Sequence, residues 1–80
     1  MNIVYSKRAV KVINGLDKPT KKRIRDAVES IPKGDIIPLQ GTKDRYRLRI
    51  GGWRIIFAYK GDDGILIDKV SPRGDAYKGV

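Results

Sequence analysis

The chain has 80 residues, 18 of them Lys or Arg against 9 Asp or Glu, for a formal net charge of +9. It has no cysteine and no histidine. This excludes disulfide frameworks, thiolate or imidazole metal sites and the histidine-based nucleophile dyads. What remains for chemistry is Lys, Arg, Tyr, Asp and the backbone, on a chain long enough for one small domain, residues 1–80.

No cofactor or metal is implied by these residues. A basic surplus of this size points to a polyanionic partner, most often nucleic acid. An anionic membrane surface or an acidic protein could use the same field, and charge can also serve solubility alone. The N-terminus MNIVYSKRAVKV lacks the apolar core of a signal peptide, and no apolar run is long enough to span a bilayer. A cytoplasmic protein that does not cross a membrane is therefore expected.

In chain order, Asn2–Tyr5 reads as a first strand carrying Ile3 and Val4. Ser6 can cap a helix whose apolar residues Ala9, Val10 and Ile13 end at Asn14-Gly15. Asp17 can cap a second helix, with Pro19 tolerated in its first turn. Ile24, Ala27, Val28 and Ile31 form its apolar stripe, and Pro32 closes it. The segment Gly34–Gly41 reads as a loop, because Pro38 argues against a central strand. Arg45–Ile50 and Trp53–Tyr59 then flank Gly51-Gly52, a hairpin signal, and Ile65–Val70 follows a Gly-Asp-Asp-Gly turn. The polar Ser71–Val80 segment reads as irregular. The order β-α-α-β-β-β predicts an α+β fold: an N-terminal strand, a helical hairpin, then antiparallel strands, with the helices packed on one sheet face.

A two-residue loop at Gly51-Gly52 pairs Ile50 with Trp53, Arg49 with Arg54, Leu48 with Ile55 and Tyr46 with Phe57. One face then carries Tyr46, Leu48, Ile50, Trp53, Ile55 and Phe57, and should hold the helices. The other carries Arg45, Arg47, Arg49 and Arg54, with Ile56 and Ala58 further along. Like charges directly opposite destabilise a strand pair. Four arginines on one face therefore read as an anion site, since guanidinium groups match phosphate bidentately. Arg73, just past the last strand, could reach the sheet edge, and Tyr77 could stack on a base or act through its hydroxyl. Trp53 is assigned to the core by its face in the hairpin.

The run Tyr46-Arg-Leu-Arg-Ile-Gly-Gly-Trp-Arg-Ile-Ile-Phe resembles the signature hairpin of the RelE/ParE toxin superfamily. Val70-Ser-Pro-Arg-Gly-Asp-Ala-Tyr-Lys resembles its C-terminal ending, and Leu39-x-Gly41 before the strands also fits. The RelE-like branch implies the toxin of a type II toxin–antitoxin pair. Such a toxin is an endonuclease that enters the ribosomal A site and cuts mRNA by 2′-hydroxyl attack on the adjacent phosphate. By similarity the catalytic set maps to Arg47, Arg49, Arg54, Arg73 and Tyr77. RNA-binding positions would be Arg45, Lys43, Lys21, Lys22 and Arg25. The implied partners are a cognate antitoxin, in a toxin–antitoxin hetero-oligomer, together with the ribosome and mRNA. Two departures stand out. Arg47 and Arg49 replace the lysines common in RelE enzymes, and Pro72 stands where many relatives have a histidine. The acceptor for the 2′-hydroxyl proton is then open among Tyr77, Asp75 and Lys43, with the arginines stabilising developing phosphorane charge.

Two other readings use the same residues. A ParE-like protein would share the fold and inhibit DNA gyrase without catalysis. An inactive relative would bind RNA with strong salt dependence and cut nothing. The charge itself divides along the chain. Residues 1–33 hold nine basic and three acidic side chains, largely on helix faces. Residues 34–80 hold nine basic and six acidic, including the arginine cluster.

Overall fold

The computed structural model describes residues 2–72. Five strands form one sheet in the order β1-β5-β4-β3-β2. Strand β1 is Asn2–Tyr5, followed by helices α1 (Lys7–Asn14) and α2 (Lys18–Glu29). Strands β2 (Asp35–Pro38), β3 (Tyr46–Ile50), β4 (Trp53–Lys60) and β5 (Gly64–Pro72) complete the sheet. β1 runs parallel to β5 and every other pairing is antiparallel.

The helices start where the sequence places their caps. The Ser6 hydroxyl accepts a bond from the Ala9 amide at 3.1 Å, and the Asp17 carboxylate accepts from Thr20 at 3.3 Å. These satisfy backbone donors that have no partner within the first turn. Gly15 ends α1 with φ of −85°, so it is not used there as a left-handed residue. The buried stripe of α1 also differs from expectation. Val10 is exposed, while Val12, Ile13 and Leu16 pack with Ala9. Both helices cover one sheet face, where Ile24, Val28 and Ile31 meet Leu48, Ile55, Phe57, Ile65, Ile67 and Val70. Trp53 packs against this core, and Tyr46, Phe57 and Tyr59 form an aromatic cluster with ring centroids 5.3–5.6 Å apart.

The hairpin register is the one read from the sequence: Ile50 opposite Trp53, Arg49 opposite Arg54, Leu48 opposite Ile55 and Tyr46 opposite Phe57. Gly51 has φ of 55°, the left-handed conformation that the first loop position of such a turn requires. The same glycine leaves room for a neighbour. A Cβ there would lie 3.0 Å from the Arg23 guanidinium of α2.

Two features depart from the sequence reading, and a third adds to it. The Gly34–Gly41 segment is not wholly a loop, because Asp35–Pro38 pairs antiparallel with β3. Pro38 is tolerated because this is the edge strand, where a missing amide donor costs no ladder bond. Strand β5 runs on through Ser71 and Pro72, paired with Arg54 and Trp53, where an irregular segment was expected. Finally, Ile56 and Ala58 are buried although they lie on the arginine face; Ile56 packs with Leu39 in a second, smaller cluster.

Candidate functional site

Directly paired residues share a side of the sheet, so the registers define rows across the outer face. One row reads Asp35, Arg49, Arg54, Ser71 from β2 to β5. The next reads Ile37, Arg47, Ile56, Lys69. Three of the four arginines expected on this face are therefore adjacent across two rows. A carboxylate from the edge strand stands beside them, and a hydroxyl lies at the far end.

Asp35 bridges two of the arginines. One oxygen takes the Arg47 guanidinium at 3.0 Å and the other takes Arg49 Nε at 2.8 Å. This pair of contacts bears directly on the repulsion among the arginines. Part of it is relieved within the chain. The Arg47 side chain is only 10% exposed and that of Arg49 is 51% exposed, so the bridge ties a buried cation to a solvated one.

Arg54 is different. Among the described residues no carboxylate lies within ion-pair distance of it. Its Nη1 reaches the Gly51 and Trp53 carbonyls at 3.4 and 3.3 Å, beyond the usual range for a strong bond. Its Nε is buried with no hydrogen-bond partner among the described residues, and so is the Ser71 hydroxyl directly opposite. Arg23, from α2, stands at the same end of the hairpin against Gly51.

Arg45 lies just before β3, within ion-pair distance of Asp44 at 3.2 Å and Asp68 at 3.5 Å. Asp68 is the extra residue of a bulge between the pairs Ile56–Lys69 and Phe57–Ile67. Its carboxylate also binds Arg8 at 3.1 Å, and its carbonyl accepts from the Ser6 hydroxyl at 2.6 Å. Arg8, Lys43, Arg45, Ile56 and Lys69 border a groove of about 510 Å³ here.

The three helix cations are elsewhere. Lys21 and Arg25 border an apolar cleft of about 220 Å³ with Tyr5, Val10, Ile13 and Ile24. Lys22 pairs with Asp26 at 2.8 Å. They belong to the helical layer, on the opposite side of the sheet from the arginine rows, so the structure does not bring them together with Arg49 and Arg54. Burial pushes the Tyr5 phenol above its ordinary pKa; the Glu29 charge adds to this and Arg25 opposes it. Arg73, Asp75 and Tyr77 lie outside the described residues. Two residues beside the arginines had no sequence signal to mark them. Asp35 became visible only with the edge strand, and Ser71 only with the extension of β5.

The architecture and this hairpin can be set against known proteins. A family model described as the ParE toxin of type II toxin–antitoxin systems matches residues 3–77. The chain is also 35% identical over 85 aligned residues to the RelE1 toxin candidate of Methanocaldococcus jannaschii, covering 96% of this chain and 94% of that one. The chain belongs to the RelE/ParE toxin superfamily. Within it the similarity is RelE-like. The crystal structure of the RelB–RelE antitoxin–toxin complex from Methanococcus jannaschii matches with a TM-score of 0.75 at 26% identity, over 96% of this chain and 98% of that one. The intact RelBE toxin–antitoxin complex of E. coli matches with a TM-score of 0.67 at 17% identity, over 92% and 96%, a likeness of fold. In this chain the outer sheet face is thus a basic, partly self-neutralised surface on the β3–β4 hairpin.

Proposed function

We propose that this RelE-like toxin is a ribosome-dependent mRNA endonuclease that cuts in the A site by attack of a ribose 2′-hydroxyl on the adjacent phosphate. The observation that carries the proposal is the single-face array of Arg47, Arg49 and Arg54 on paired strands β3 and β4. Guanidinium groups offer planar donors to phosphate oxygens and stay protonated throughout the pH range of translation. Their role is to bind the phosphodiester and to stabilise the charge that builds on the phosphorane, work for which a fixed array needs no reorganisation. Lys43 and Arg45 continue the basic surface toward the flanking backbone. Lys21, Lys22 and Arg25, on the helical layer, suit a separate contact with ribosomal RNA. Arg73 and Tyr77 complete the proposed set by the family resemblance. A cognate antitoxin would mask this surface in a hetero-oligomer, acting in the cytoplasm where mRNA is translated.

Induced expression followed by mapping of mRNA 5′ ends tests the proposal. Cleavage within translated codons, absent for Arg54→Ala, is the expected result. Intact mRNA together with gyrase inhibition would contradict it and point to ParE-like action.

A further inference from the structure

The row Asp35, Arg49, Arg54, Ser71 is unequal at its two ends. At one end a carboxylate already sits on Arg49 and Arg47. A phosphate arriving there meets a like charge. At the other end the Arg54 guanidinium has no carboxylate among the described residues. Its Nε and the hydroxyl of Ser71, directly opposite on β5, are both buried without a hydrogen-bond partner among those residues.

Buried polar side-chain atoms are nearly always hydrogen-bonded, so two orphans on facing residues are a departure that needs a reason. Ser71 is 9% exposed, and a hydrophobic residue would serve such a position better if packing were its only role. Facing residues of an antiparallel pair hold their Cβ atoms about 5 Å apart, a span that one oxyanion bridges with an oxygen to each side. The long bonds from Arg54 Nη1 to Gly51 and Trp53 engage that nitrogen alone and leave Nε uncommitted.

We propose that Ser71 is a phosphate ligand: its hydroxyl and the Arg54 guanidinium together hold the non-bridging oxygens of an RNA phosphodiester. The inference rests on the nuclease reading above and adds a neutral donor to it. Neutrality gives the proposal its signature. A lost guanidinium removes a counterion-releasing contact and flattens the salt dependence of RNA binding, whereas a lost hydroxyl weakens binding equally at every salt concentration.

The experiment uses the full chain, a short single-stranded RNA measured by fluorescence anisotropy across a salt series, and inorganic phosphate followed by NMR of the arginine Nε–H signals. Ser71→Ala should weaken RNA binding about tenfold with an unchanged salt slope, as expected for a hydrogen bond to a charged group. Ser71→Thr, which keeps the hydroxyl, should restore it. Arg54→Ala should lower the slope by about 0.7, the single-strand value for one phosphate contact. Phosphate should shift the Arg54 Nε–H signal in wild type and shift it less in Ser71→Ala. Unchanged RNA affinity in Ser71→Ala, failure of Ser71→Thr to recover it, or an Arg54 signal indifferent to phosphate would overturn the proposal. A wild-type protein that takes phosphate at this pair but leaves ribosome-bound mRNA whole sinks the nuclease reading and keeps Ser71 as a ligand.

Discussion

The two ends of the arginine row differ in one respect that matters more than their count of charges. At the β2 end, Arg47 and Arg49 share the carboxylate of Asp35 at 3.0 and 2.8 Å. At the β5 end, Arg54 faces Ser71 and has no such partner among the described residues. The first end sets two cations on one carboxylate, a net +1 whose donors are already engaged in part; the second is also +1, with its Nε and the facing hydroxyl uncommitted among the described residues. A sheet face that looks uniformly basic in sequence is therefore uneven across its strands, from β2 to β5.

The largest expected consequence concerns rate. Arg54→Ala should lower the single-turnover rate of mRNA cleavage on programmed ribosomes by about 100–1,000-fold, the usual effect of removing one preorganised donor to a developing oxyanion. Circular dichroism should show the fold intact, because a partly exposed arginine contributes little to the core.

Asp35→Asn acts on the opposite end and should sharpen the comparison. It removes one negative charge beside the phosphate path, worth about 0.7 kcal/mol for charges ~6 Å apart at the dielectric of water, or about threefold in affinity. RNA should bind more tightly and with a steeper salt dependence. Weaker binding would mean that the carboxylate positions the arginines rather than competing for them. Thermal stability should also fall, by more than the ~0–1 kcal/mol of an exposed pair, since the same carboxylate holds Arg47, whose side chain is only 10% exposed.

A third change tests the turn that fixes the open end. Gly51→Ala places a Cβ at φ of 55° and 3.0 Å from the Arg23 guanidinium. It should cost about 1–2 kcal/mol, lowering the thermal midpoint by several degrees in a domain of this size. Gly52→Ala meets no atom within 4 Å among the described residues and should cost less. Equal losses would show that the turn is not conformationally selective.

The smallest effect lies away from the arginines, in the cleft between the helices and β1. Burial, reinforced by Glu29 and opposed by Arg25, raises the Tyr5 pKa above 10.0. The folded state therefore favours the neutral phenol. Its contribution to stability is present in full below about pH 10 and declines as pH rises through the folded value. Tyr5→Phe should flatten the alkaline limb of stability against pH, as measured by urea denaturation.

How much of this was legible in the residues follows from the physics of each signal. Gly51-Gly52 fixes both the loop length and the register, so the face shared by Arg49 and Arg54 followed from pairing alone. The caps Ser6 and Asp17 were legible because capping is local. Strand β2 was not, because Gly34, Pro38 and Gly41 carry loop signals. An edge strand is also set by its partner rather than by its own propensity. Asp35 and Ser71 were hidden for the same reason, since their roles come from cross-strand neighbours far away in sequence. The bulge at Asp68 and its contacts to Arg8 and Arg45 left no local trace either. The helix cations Lys21, Lys22 and Arg25 were grouped with the RNA surface by charge, while the layering puts them behind the sheet.

The most direct test of the uneven face compares cleavage of ribosome-bound mRNA by Arg54→Ala and Arg49→Ala under identical single-turnover conditions. The end without a carboxylate should matter more: Arg54→Ala should lose at least about tenfold more activity than Arg49→Ala, the margin that one further charge-assisted contact provides. Equal losses, or a larger loss for Arg49→Ala, would contradict the account.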